Sequence, residues 1–182
     1  MFVNKSAFGR LLGLPVLVLA SGFLVVRGQQ GTLAEIKYKE DYDRIQRIIK
    51  VSEPAKRADQ LLTFYRERPD LDPKLRDYAD NAFARDLEGL MKQGDFVALK
   101  SLCERALKLR PKFGEAYLFY GVVLKSEKRT QEAMNAFAKC YLIKNPLQAK
   151  AKQQLDVTYR AFSGGSLIGQ DKIIKNAMNE LK

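Results

Sequence analysis

The 182-residue chain contains no histidine. That absence excludes imidazole acid–base catalysis, Ser-His-Asp and Cys-His triads, and imidazole metal ligands. Cysteine is scarce. With only Cys103 and Cys140, a structural zinc site of the usual kind is excluded. Also missing are G-x-x-x-x-G-K-S/T, G-x-G-x-x-G, C-x-x-C and H-E-x-x-H, the short patterns of phosphate, dinucleotide, redox and catalytic-zinc sites. The many acids fall three or four residues from a base, as Glu40 does from Arg44 and Asp43 from Arg47. They are expected on exposed helix faces, as solvated pairs worth about 0.2–0.5 kcal/mol each and not as an acid–base dyad. No catalytic residue, cofactor or metal site is therefore expected, and the chain does not read as an enzyme.

Negative charge is short in one half of the chain. The net charge is +11. Residues 1–31 carry +3, residues 32–94 balance 13 bases against 13 acids, and residues 95–182 carry 16 bases against 8 acids. A basic half suits an acidic protein segment, an anionic membrane surface or nucleic acid, and it also serves plain solubility. The interleaving of aromatic and basic residues typical of single-strand platforms is not evident, which disfavours nucleic acid.

The one long uncharged run is residues 11–26, LLGLPVLVLASGFLVV, preceded by Lys5 and Arg10. Sixteen helical residues reach about 24 Å, short of a hydrocarbon core of about 30 Å. Phe8 and Gly9 lengthen the run, and Arg10 and Arg27 can snorkel from its ends. Residues 8–26 thus read as an uncleaved single-pass anchor, since Phe23–Val26 continue the apolar run. The competing reading is a signal peptide cut near Gly22, after the small residues Ala20 and Ser21. A buried soluble helix fits least, because the run is apolar all round. LASGF has the outline of a bacterial lipobox, but Phe23 stands where an acylated cysteine is required, so a lipoprotein is excluded. Lys5 and Arg10 favour an exported domain, while Arg27, Lys37 and Lys39 leave a cytoplasm-facing one open.

Beyond a short polar linker, Gln29–Gly31, the pattern is helical throughout. Thr32-Leu33-Ala34-Glu35 forms a capping box before a helix to about Lys50, with Tyr38, Tyr42, Ile45 and Ile49 on its apolar stripe and Ile48 beside it. Ser52 is expected to cap a second helix, with Pro54 in its first turn, Ala58, Leu61, Leu62 and Tyr65 inward, and an end before Pro69. Asp72-Pro73 opens a third helix that Gly94 ends, and a fourth covers about 96–109 before Pro111. Residues 113–146 make one complete helix–turn–helix unit around the polar turn Ser126–Thr130, with small residues Gly121 and Ala133 where two helices touch. A helix over 147–162 carries the stripe Leu147, Ala151, Leu155, Tyr159 and Phe162. Ser163–Ser166 breaks the chain, and a last amphipathic helix, about 170–181, carries Ile174, Ala177, Met178 and Leu181. That helix is expected to fold back on the domain, the alternative being docking onto a partner.

Residues 113–146 resemble a tetratricopeptide repeat (TPR), whose signature runs W-x2-L-G-x2-Y, A-x3-F, P. Tyr117, Tyr120, Gly121, Leu124, Ala133 and Phe137 take the successive positions, and Pro146 closes one residue late. Counting back from Pro111 puts Phe83, Leu87, Leu90, Leu99 and Cys103 at matching positions of a second repeat. Asp86 falls at its Leu position, and Leu87 in place of Gly implies a wider helix–helix approach. The resemblance covers residues 32–162 and implies an all-α, TPR-like solenoid of about three helix pairs, closed at Pro69, Pro111 and Pro146 and sealed by C-terminal capping helices. The domain plan is then 1–31 for the transmembrane or signal segment, 32–162 for the repeats, and 163–182 for the last helix. Cys103 and Cys140 fall at core positions and read as small buried hydrophobes, although export would permit a disulfide.

The resemblance further implies a partner-binding groove made by the first helix of each pair. Its residues would be Asn81, Ala84, Arg85, Glu88 and Met91, then Glu115, Leu118, Phe119, Val122 and Lys125. Ala84, Glu88, Leu118 and Val122 stand where some TPR domains place the lysines and asparagines that grip a terminal carboxylate, so no such clamp is expected. The alternative is that the helix over 147–162 covers Leu118, Phe119 and Val122. The implied function is a membrane-anchored scaffold or adaptor for protein partners in a bacterial cell envelope. The alternative is a basic helical module that holds an anionic surface, lipid headgroups before nucleic acid.

Overall fold

Helix boundaries follow local chemistry. The computed structural model describes residues 32–182, and within them the chain forms eight α-helices and no strand. In order these are α1 (Leu33–Ile49), α2 (Pro54–Glu67), α3 (Pro73–Gln93), α4 (Phe96–Leu109), α5 (Gly114–Ser126), α6 (Thr130–Leu142), α7 (Gln148–Phe162) and α8 (Gln170–Glu180). Thr32 and Glu35 form the capping box of α1. Asp72 caps α3 through the Lys74 amide at 2.8 Å, and Asp95 caps α4 through the Ala98 amide at 3.0 Å. Ser52 does not cap α2. Its N-cap is Glu53, which makes no capping bond, and Pro54 at the first position has no N–H to satisfy. Gly94 ends α3 at φ 76°, the left-handed region that favours glycine.

Helices from α1 to α7 pack on their neighbours in the chain through short connections. α2 packs on α3 and α4, α4 on α5, α5 on α6, and α6 on both α7 and α8. The apolar core falls into two clusters. One is built from α1–α4 with Phe113, Ala116, Phe119 and Val123, and the other from α5–α8. The helix α5 belongs to both. Phe119 turns to the first cluster and Leu118 to the second. The final helix folds back, as expected. Glu180 accepts from Lys139 at 2.7 Å and from Asn135 at 3.0 Å, while Ala177 is buried against α6.

Three sequence expectations change here. Tyr38 and Tyr42 are about 40% exposed, and α1 instead buries Ile45, Ile48 and Asp41. Pairing of Asp41 with Arg68 at 2.6 Å turns that side of α1 inward. Phe162 and Met178 are exposed although they sit on apolar stripes. The acids are not all solvated: Asp41, Asp80, Asp86 and Glu115 are buried. Residues 8–26 lie outside the described residues, and among the described ones no helix is long and apolar enough to cross a membrane.

Helices α5 and α6 approach closely at Gly121. A Cβ there would lie 2.5 Å from Cε1 of Phe137, whose ring is fully buried. Asp86, out of place in the repeat pattern, is only 1% exposed and accepts from Arg57 Nε at 2.7 Å and from a second guanidinium nitrogen. Burial pushes its carboxyl up, against the pull of Arg57.

Gly121→Ala should gain about 1 kcal/mol of helix propensity. Overlap with Phe137 should cost about 2–3 kcal/mol, leaving a net loss near ~1–2 kcal/mol in urea unfolding. An unchanged midpoint would mean that the ring yields. Asp86→Leu should lose about 2–4 kcal/mol by stranding Arg57, whereas Arg57→Met/Asp86→Leu should return to wild-type stability or above. Equal instability of the single and double variants would contradict a stranded guanidinium.

Candidate functional site

A cavity of about 560 Å³ opens on the described surface. Asp77, Asp80 and Asn81 of α3 form one wall, and Glu115 in the first turn of α5 forms another. The turn from Lys144 to Pro146, with Gln148 at the start of α7, closes the third side.

The floor is built by Asp80. Its two oxygens accept from Arg110 at 2.5 and 2.8 Å, and Tyr65 Oη donates to it at 2.6 Å. The Arg110 guanidinium lies 4.2 Å over the Phe113 ring and 5.0 Å from the Tyr65 ring centre. Phe113 in turn stacks on Phe83 at 5.3 Å. Burial and the neighbouring Asp80 carboxylate push the Tyr65 hydroxyl well above its ordinary range, so it stays a donor.

The turn is fixed by Asn145. Its Nδ2 donates to the carbonyls of Cys140 at 2.8 Å and Ile143 at 2.6 Å, and its Oδ1 accepts from the Leu147 amide at 2.8 Å. This side chain presses on Gly114, where any Cβ would overlap Nδ2. Gly114 is thus a second glycine set by close approach.

Of the groove residues expected from sequence, only Asn81 and Glu115 meet at this cavity. Arg85 and Lys125 are exposed. Glu88 is half-buried and pairs with Lys92 at 3.2 Å, while Ala84 and Met91 pack on the first core cluster. Leu118 and Phe119 are 1% and 2% exposed, so they hold the core and cannot line a binding face. Val122 is half-buried against the second cluster. The cause is the position of α5 between two sets of neighbours, which buries opposite sides of one helix. Asp77, Asp80, Lys144, Asn145 and Gln148 line the cavity without having been expected there. Their signal was weak, because Asp80 and Arg110 are 30 residues apart.

Cys103 and Cys140 are free and buried. Burial pushes both thiols up, Cys140 to about 12, so neither is a nucleophile at neutral pH. Among the described residues no group of three or more acids and thiols is gathered closely enough to hold a metal ion.

Glu115 is 6% exposed, and burial raises its carboxyl pKa. Asp80 and Asp77 push the same way, while Arg110 and its own backbone amide oppose. Comparison of the chain with protein-family models, curated proteins and solved structures returns no match.

A carboxyl raised in the folded state contributes most below its unfolded pKa, and that contribution is lost as pH rises through the folded value. Glu115→Gln should therefore gain on wild type as pH is raised from about 4 towards 8, measured by urea unfolding. A difference that is flat with pH would mean that the carboxylate is well solvated.

Proposed function

We propose that the chain is a TPR-type solenoid adaptor, held at a membrane of the bacterial envelope by its N-terminal segment, that binds a protein partner on the face carrying α3 and α5. The observation that carries this reading is the polar cavity between the first helices of successive pairs, walled by Asn81 and Glu115. That is the side on which helical-repeat proteins present extended binding surfaces. Successive packing of the helix pairs supports the solenoid reading, as does the close approach of Gly121 to Phe137 at the small-residue position of the repeat. Support for the membrane element comes from the uncharged run of residues 11–26. The missing histidine and the two inert thiols favour binding over catalysis.

The partner surface is polar. With Leu118 and Phe119 committed to the core, the side chains left for contact are the exposed Asn81, Arg85 and Lys125, with Glu115 reached through the cavity. Affinity would then come from hydrogen bonds and charge complementarity more than from apolar burial.

Affinity capture from detergent-solubilised membranes should compare wild type with Arg85→Glu/Lys125→Glu, both changes being at exposed positions that leave the core intact. A groove that binds should lose its principal partner by about tenfold, in proportion to two lost charge contacts. Identical partner lists from the two proteins would place the binding site elsewhere.

A further inference from the structure

Each of the second helices α2, α4 and α6 is followed by a proline, and the residue before that proline differs in one of the three cases. Arg68 precedes Pro69, and Arg110 precedes Pro111. Both arginines reach back to a buried aspartate on a first helix, Asp41 at 2.6 Å and Asp80 at 2.5 and 2.8 Å. Before Pro146 stands Asn145, which spends its hydrogen-bonding groups on the backbone of its own turn.

The first helix of that third pair still carries a buried acid. Glu115 is 6% exposed and lines the cavity. No described side chain donates a hydrogen bond to it, and its own backbone amide does. Arg110 is close enough to feel it but is held on both oxygens of Asp80. Lys144 lies at the exposed rim. With no side-chain partner, its oxygens are left to the cavity, where a donor from outside the described chain can reach them.

We propose that the cavity is a guanidinium site, which takes an arginine side chain from the partner chain with Glu115 as its counter-charge. The proposal rests on the adaptor reading for the source of the arginine. Charge fits: Asp77, Asp80 and Glu115 stand against Arg110 and Lys144, so one added guanidinium neutralises the group. Shape fits as well. The lining carboxylates lie on two helices, α3 and α5, and a planar fork of five donors suits such a pair better than a compact ammonium does. A metal ion is disfavoured because the carboxylates are not gathered as ligands. An anion is disfavoured by their number.

The test is an NMR titration of the full-length protein with the capped peptides Gly-Gly-Arg-Gly-Gly and Gly-Gly-Lys-Gly-Gly, and with acetyl-arginine amide. The arginine peptide should shift the amides of Gly114 and Glu115 and the side-chain amide of Asn145. It should bind about fivefold tighter than the lysine peptide, and also tighter than acetyl-arginine amide, which lacks the flanking chain. Glu115→Gln should weaken it by about tenfold, the loss of one charge-assisted contact. Asn81→Arg, at an exposed position on the cavity wall, should supply the cation in cis and block the peptide without touching the core. Shifts that are absent at roughly 10 mM peptide, equal for arginine and lysine, or unchanged in Glu115→Gln would overturn the proposal. Tightest binding of acetyl-arginine amide would overturn the peptide source. Arginine binding that depends on Glu115, found alongside a partner list indifferent to Arg85 and Lys125, would take those two residues out of the partner surface and keep the site. The opposite pair of results would remove the site alone.

Discussion

Placement of α5 depends on Arg110. This residue ends α4, immediately before the proline that turns the chain, and its guanidinium is clamped on Asp80 while lying over Phe113. Phe113 is the N-cap of α5, so the ion pair sets where that helix begins. Tyr65 brings α2 into the same joint through its hydroxyl. One bidentate pair therefore ties α2, α3, α4 and α5 together at a point that burial makes unforgiving. Removing one partner of such a pair costs about 3–5 kcal/mol, several times the worth of an exposed pair such as Lys92 with Glu88.

The second constraint is the double burial of α5. It is the most apolar of the described helices and has no free side left along most of its length. Gly121 lets Phe137 approach on one side, Gly114 admits Asn145 at the start, and Phe119 and Leu118 fill opposite clusters. Its charged side chains sit at its ends. Glu115 reaches the cavity at the N-terminal end and Lys125 is exposed at the C-terminal end, so a surface built on them is polar by construction.

Much of the helical frame was legible in the sequence, because caps, prolines and glycines act locally. Thr32, Asp72, Gly94, Pro111 and the turn at Ser126–Thr130 mark boundaries that the structure keeps. The small-residue contact at Gly121 was legible for the same reason. Less legible was anything set by rotation of one helix against another. Asp41 sits among charged residues and gives no sign of burial until Arg68, 27 positions later, is seen to reach it. Tyr38 and Tyr42 look like core residues and are half-exposed. In α5 the apolar pattern is nearly continuous, so periodicity cannot say that Leu118 and Phe119 face two cores instead of a partner. Half of the candidate cavity escaped for a further reason: its turn residues, Lys144 and Asn145, belong to no helix face at all.

The bond between Asn145 and Pro146 has a consequence for chemical ageing. Asparagine side chains are lost by deamidation when the next residue's backbone N–H attacks the side-chain carbonyl. Pro146 has no N–H to offer. The Asn145 amide is also held on three backbone groups and pressed against Gly114, which keeps it from the geometry of ring closure. This turn is thereby protected from the slow conversion to a carboxylate that would add a further negative charge beside Glu115, Asp77 and Asp80.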